Sequence, residues 1–206
     1  MSKVSKATDE PVPAATVVLA RDAISEVSGQ QQVEVLLLRR NSKLVFHGGH
    51  WVFPGGRIDD SDFMDEQRLE YPAAVQAAVR ETREEAGIEL LPERLIHTAH
   101  WTTPPNLARR FSTWFFLYPL VGRTQAETEV RVDNDEILDF RWLSPDQALA
   151  EARQEKIVLP RPTQTTLRDM LGFHRLDELV AAATAGEIRV FPEDSAHYRP
   201  DEMGYS

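Results

Sequence analysis

The chain contains no cysteine, which excludes disulfides and thiol catalysis and favours a reducing compartment. It has no apolar run long enough to span a membrane. Its opening residues, MSKVSKATDEPVPAA, lack the apolar core of a secretory signal. Its last three residues, Gly204, Tyr205 and Ser206, do not form a peroxisomal address of the S-K-L type. A cytoplasmic protein without a membrane partner is therefore expected. Positive charge is scarce: 23 Lys and Arg stand against 33 Asp and Glu, a net charge of −10. That balance argues against general nucleic-acid binding. A polyanionic substrate would need metal ions or a local arginine cluster. There is no internal repeat and no low-complexity segment.

What is present suits a folded enzyme-sized domain. With 206 residues, 42% hydrophobic and 27% charged, the chain can bury a substantial core. Residues 1–13 read as a flexible lead. Strands are predicted over 14–20, 33–39, 50–53, 94–102, 111–121 and 137–143, with a shorter strand-like piece over 188–191. Residues 21–32 read as a polar loop, and 54–56 as a break. Residues 59–70 read as an acidic loop able to hold a helical turn. Helices are predicted over 71–90, from Ser144 as N-cap to about 154, over 162–171 and over 176–184. The pattern is α+β, with one domain over 14–154. Residues 155–206 read as a helical extension and tail packed on that domain.

The helix over 71–90, YPAAVQAAVRETREEAGIEL, draws most attention. Pro72 suits a first turn, four alanines favour helix, and Gly87 stands where a C-cap is expected. Helical spacing groups Glu81, Glu84 and Glu85 on one side. Like charges at that spacing repel, and acids near a helix C-terminus oppose its dipole. Local stability therefore does not explain them, whereas a hard divalent cation does. The plainer alternative is a solvated acidic face partnered by Arg80 and Arg83.

The glycine pair Gly55-Gly56 ahead of this helix lets backbone come close to a ligand. The run from Gly56 through Arg80-Glu81-Thr82-Arg83-Glu84-Glu85-Ala86-Gly87-Ile88 resembles the box of the Nudix family, G-x5-E-x7-R-E-U-x-E-E-x-G-U with U apolar. The second half agrees at every fixed residue. The first half departs: the family spaces its Arg about 14 positions after the first Gly, and here Gly56 to Arg80 spans 24. Counting forward from Gly56 to the pattern's first Glu reaches Asp62; counting back from Arg80 reaches Pro72. Asp59, Asp62, Asp65 and Glu66 all stand nearby, and the position is left unassigned.

Upstream, Leu36 to Gly56 resembles the signature of Nudix enzymes that cleave coenzyme A. Leu36, Leu37, Arg40, Leu44, Gly49, Phe53, Pro54, Gly55 and Gly56 agree with it, and Leu38, Asn41, Val45 and Trp51 do not. The lengthened box and the later TPPNLARRF and DEILDFRWLSPDQAL stretches are similar to the coenzyme A diphosphatase branch with an interrupted box.

The resemblance implies a Nudix fold, a mixed sheet sandwiched by helices, and Mg²⁺- or Mn²⁺-dependent hydrolysis of a diphosphate in a small nucleotide substrate such as coenzyme A. It implies Glu81, Glu84 and Glu85 as metal ligands, helped by the Gly55 carbonyl, with Arg80 holding the glutamates and Glu81 and Glu84 at the chemistry. Arg40, His47, Arg57, Arg109 and Arg110 are the candidate substrate contacts. Trp101, Trp114, Phe115 and Phe116 are assigned to the core rather than to base stacking. The proton acceptor is open among Glu127, Glu129, Asp133, Asp135 and Glu136. Two rivals stand beside this reading: the same chemistry on ADP-ribose or a nucleotide sugar, and a non-hydrolytic ligand-sensing module. The fold of that family often pairs, so a homodimer is also admitted.

Overall fold

The longest strand, β1 (Val12–Ile24), places Val18 and Ala20 on one face and Ala15, Val17 and Leu19 on the other, all buried. Period-two alternation with both faces apolar marks a central strand covered on two sides. The computed structural model describes residues 10–43, 48–64, 66–107, 109–122, 124, 126–132 and 134–205. Around β1 stand β2 (Gln31–Arg40), β3 (Trp51–Val52), β4 (Gly55–Arg57), β5 (Ile96–Thr102), β6 (Phe111–Pro119), β7 (Ile137–Leu143) and β8 (Arg189–Phe191). They form one mixed sheet in the order β3-β2-β1-β6-β5-β8, with β4 added to β1 and β7 to β2. The pairings β1–β6 and β5–β8 are parallel.

Helix α1 (Glu70–Ala86) covers the face carrying Val17, Leu36, Trp114 and Phe116. The segments around α2 (Pro145–Arg153), α3 (Arg161–Asp169) and α4 (Leu176–Ala185) supply Leu149, Leu159, Leu167, Leu176 and Leu179 to the other face, against Val35, Phe53 and Phe115. The α+β sandwich expected from sequence is thus the observed architecture. Trp114, Phe115 and Phe116 are core residues, while Trp101 is half-buried and stacks on Phe191 at 4.0 Å between ring centroids.

Several boundaries differ from expectation. Val12 and Pro13 do not belong to a flexible lead; they pair with Phe111 and Ser112 of β6. Residues 21–24 are strand rather than loop, because Asp22, Ala23 and Ile24 face Val33, Gln32 and Gln31 across a hairpin, and Arg21 is bound to Glu34 at 2.7 Å. The strand-like piece expected over 188–191 is β8, which joins the sheet edge beside β5. After β8 the chain rounds that edge. Tyr198, Met203 and Tyr205, flanking and within α5 (Pro200–Met203), pack on the α1 side.

One irregularity positions the site. β1 pairs with β2 only over Ala20–Ile24, and nearer its start β4 lies against it, Ala14–Thr16 opposite Arg57–Gly55. β2 meanwhile pairs with β3 at Leu38 and Arg39. The stretch 51–57 therefore fills the gap where β1 and β2 diverge. Pro54, which has no N–H to donate, sits at its bend and accepts hydrogen bonds from Val17 N and Thr16 Oγ1, both at 2.9 Å.

Candidate active site

Helix α1 brings the acids to this gap. Its alanines Ala74, Ala77 and Ala78 let it lie close on the sheet, and it stops at Gly87, whose left-handed backbone (φ 71°) donates its N–H to Arg83 O at 3.0 Å. The three glutamates do not share one side, as the spacing suggests. Glu85 lies in the buried stripe with Thr82 and Ala86. Glu81, four residues earlier, is half-buried on the same row. Glu84 turns outward, with its side chain 54% exposed.

The glycine pair faces that row. Gly55 N–H donates to Glu85 Oε2 at 2.9 Å. A Cβ on Gly55 would fall 2.3 Å from Ala15 O, and one on Gly56 would fall 2.3 Å from Glu81 Oε1. Two further charges complete the cluster. Arg40, at the end of β2, reaches Glu85 Oε1 at 3.7 Å and makes a close ion pair with Glu136. Burial pushes the Glu85 carboxyl up to about 8; Gly55 N–H and Arg40 oppose the shift, while Glu81 and Glu136 add to it. Burial likewise raises Glu81, countered by Arg80 and reinforced by Glu84 and Glu136.

Arg80 fixes the outer side. Its Nε and Nη2 donate to the two oxygens of Asp62 at 3.0 and 2.8 Å, its Nη1 donates to Glu81 at 2.8 Å and to Glu84 at 3.3 Å, and its Nη2 also reaches Arg57 O at 3.1 Å. Asp62 closes a 3₁₀ turn (Asp60–Asp62) and is only 3% exposed. Its Oδ2 also accepts from Asp59 N–H at 2.8 Å. Sequence counting leaves this acid open among Asp59, Asp62, Asp65 and Glu66; the arginine binds Asp62 through two hydrogen bonds, Asp59 stands 3.9 Å from it, and Asp65 lies outside the described residues.

The cluster forms one end of a cavity of about 1480 Å³. Glu81, Glu85, Glu136, Arg40, Gly55 and Gly56 line that end. Glu84 does not line it. Arg57, Arg109 and Arg110 line the cavity as well, although Arg110 Nε is engaged by Thr103 O at 3.0 Å. His47 lies outside the described residues, as does Asp133 among the proton-acceptor candidates. Of the remaining four, Glu136 lines the cavity and Asp135 does not, while Glu127 bonds Thr124 and Glu129 pairs with Arg131. Another part of the wall comes from residues 160–163, 191–192 and 194–197. Nothing in the sequence pattern signals this wall; Asp62 had one available signal, its place six residues after Gly56.

Among the described residues no three His, Asp or Glu side chains already converge as a complete metal cage. The donors nevertheless suit a hard divalent ion. Mg²⁺ and Mn²⁺ are bound through one or two carboxylates, with water and substrate phosphate filling the shell. Glu81 and Glu85 supply two carboxylates whose mutual repulsion and burial a cation would relieve.

Residues 12–161 match the NUDIX domain model. Relatives in sequence include putative nudix hydrolase 7 of Caenorhabditis elegans, 27% identical over 165 residues and covering 62% of this chain and 52% of that protein. Another is the acyl-coenzyme A diphosphatase NUDT19 of Xenopus laevis, 25% identical over 238 residues and covering 71% of this chain and 62% of that protein. The chain thus spans about half to three fifths of the length of these curated relatives. The crystal structure of a NUDIX hydrolase from Alicyclobacillus acidocaldarius shares the fold, with a TM-score of 0.69 at 23% identity over 86% of this chain and 99% of that one.

Proposed function

The chain belongs to the NUDIX family, and from that premise we propose that it hydrolyses the diphosphate of coenzyme A or an acyl-coenzyme A. The observation that carries the reaction class is the row Glu81–Glu85 facing Gly55 and Gly56 at one end of a large cavity. The substrate rests on the agreement of Leu36 to Gly56 with the coenzyme A signature, supported by the name of the Xenopus relative.

Water adds to one phosphorus, and the bridging P–O bond breaks. The products are adenosine 3′,5′-bisphosphate and 4′-phosphopantetheine or its acyl form. Glu81 and Glu85, with Glu84 at the rim, would hold Mg²⁺ or Mn²⁺. Such an ion neutralises diphosphate charge and acidifies bound water. Arg80, held by Asp62, keeps Glu81 in place. Glu136 accepts the proton of the attacking water, and Arg40 holds Glu136 and Glu85 beside each other.

The test is turnover by the purified chain with Mg²⁺, with Mn²⁺ and with chelator, on coenzyme A, acyl-coenzyme A, ADP-ribose, NADH and diadenosine polyphosphates. Metal-dependent cleavage of coenzyme A, lost in Glu85→Gln, is expected. Cleavage of ADP-ribose alone would show that the upstream signature misleads. Binding of these ligands without cleavage of any would favour the sensing module.

A further inference from the structure

The part of the cavity wall formed at the start of α3 carries a set of donors that the acid cluster does not use. Helix α3 begins at Arg161 after Pro160, which offers no side-chain cap. The first N–H groups of a helix have no partner within it. Pro162 removes one of them, and Gln164 N–H is taken by Pro160 O at 3.0 Å. The amides of Arg161 and Thr163 remain. Both residues line the cavity. Thr163 is only 5% exposed, yet none of the described residues hydrogen-bonds its hydroxyl. The Arg161 guanidinium makes no ion pair among the described residues. Gln164 Nε2 donates to Leu159 O at 2.9 Å and ties down the turn that presents these groups.

The Thr163 hydroxyl opens onto the cavity beside the two open amides, the positive end of a helix dipole and the exposed Arg161 guanidinium. That combination is matched by a phosphate monoester. We propose that the N-terminus of α3, with Arg161 and Thr163, binds the 3′-phosphate of a coenzyme A-type substrate and so selects it over nucleotides lacking that group. The proposal rests on the coenzyme A reading and sharpens it: the cation contacts for the extra phosphate come from α3, outside both the box and the upstream signature. Arg40, an earlier candidate for this role, is already committed to Glu85 and Glu136.

The experiment compares kcat/KM for coenzyme A and 3′-dephospho-coenzyme A in the wild-type chain, Arg161→Ala, Thr163→Val and Thr163→Ser. A wild-type preference for coenzyme A of about tenfold or more is expected, falling at least severalfold in Arg161→Ala and Thr163→Val and retained in Thr163→Ser. A wild-type ratio near one, or a ratio unmoved by both disruptive variants, would overturn the assignment. If neither compound is cleaved, the diphosphatase reading fails by itself, and calorimetric binding of adenosine 3′,5′-bisphosphate against 5′-AMP decides the subsite. Tighter binding of the bisphosphate that is lost in Arg161→Ala supports it; equal binding of the two removes it.

Discussion

Arg80 holds Asp62 through two hydrogen bonds, at 3.0 and 2.8 Å, across 18 residues of sequence. The acid is buried and the arginine mostly so, and Asp62 is the largest influence keeping the guanidinium charged. The same guanidinium restrains Glu81. Removing one member of a buried pair leaves the other without its partner. Arg80 is partly exposed and keeps its bond to Glu81, so Asp62→Ala is expected to lose roughly 1.5–3 kcal/mol of stability in urea unfolding, with a fall in kcat as Arg80, freed from Asp62, restrains Glu81 less. Asp62→Glu keeps the charge and should recover part of both. An Asp62→Ala protein as stable and active as wild type would remove Asp62 from the site.

The two glycines are expected to fail in different ways. A methyl on Gly56 strikes the end of the Glu81 side chain, which can swing aside. Gly56→Ala should therefore cost about 1 kcal/mol or less while displacing Glu81 and lowering turnover by about a hundredfold or more. A methyl on Gly55 meets the backbone at Ala15 and Thr16, at a φ of +151°. Gly55→Ala should lose several kcal/mol, on the order of 3 or more. Thermal melts and steady-state kinetics on the two variants separate the cases; equal stability losses would contradict the geometry.

The apolar runs of β1 and β2 and the aromatic-rich run of β6 make the central sheet legible in sequence, and the helix with its glycine stop is equally plain. Residues 54–56 read as a break because Pro54-Gly55-Gly56 has no strand propensity of its own, yet Gly55–Arg57 forms β4. It is a strand only because β1 and β2 diverge and leave edges to fill. Counting forward from Gly56 points to Asp62 but counting back from Arg80 points to Pro72, so the choice depends on where Arg80 reaches. Glu136 is one of five acids in a single stretch, and its meeting with Arg40 and its place in the cavity wall distinguish it. The tail after β8 is mostly polar, so its role as a cavity wall and as a cover on α1 left no periodic trace.

The exposures of the three glutamates give an order of effect. Glu85 is nearly enclosed and Glu81 lines the cavity, while Glu84 lies outside it beyond Arg80. Glu85→Gln and Glu81→Gln should each lower kcat by about a thousandfold or more, and Glu84→Gln by a smaller factor. Thermal shifts with added Mg²⁺ or Mn²⁺ should follow the same order, largest in wild type and absent in Glu85→Gln. A larger loss in Glu84→Gln than in Glu85→Gln would mean that Glu84 turns inward to hold the ion.

Two histidines that take no part in the site set a separate pH dependence. A bulge in β5, where the register with β6 shifts between His97 and Ala99, lets His97 and His100 pack on the same ring, Trp114, beneath Tyr198. Tyr71 and Tyr205 also face His97, and after burial it is His97, then His197, that disfavours protonation of His100. Burial lowers His97 to about 4 and His100 to about 3. An unfolded histidine titrates near 6.5, so below that pH the unfolded chain takes up protons that the folded chain refuses. The contribution of each histidine is complete above about pH 6.5 and declines as the pH falls, by up to about 1.4 kcal/mol per unit. Glu85 acts in the opposite direction: raised to about 8, it binds its proton first in the folded state and gains stability between there and its ordinary range. The wild-type profile alone therefore mixes the two. Subtracting the profile of His100→Phe isolates the histidine. That difference in unfolding free energy should be flat above pH 7 and fall by roughly 1.4 kcal/mol per unit between about pH 6 and 4. A difference that stays constant over this range would mean that His100 is protonated, or free to become so, in the folded protein.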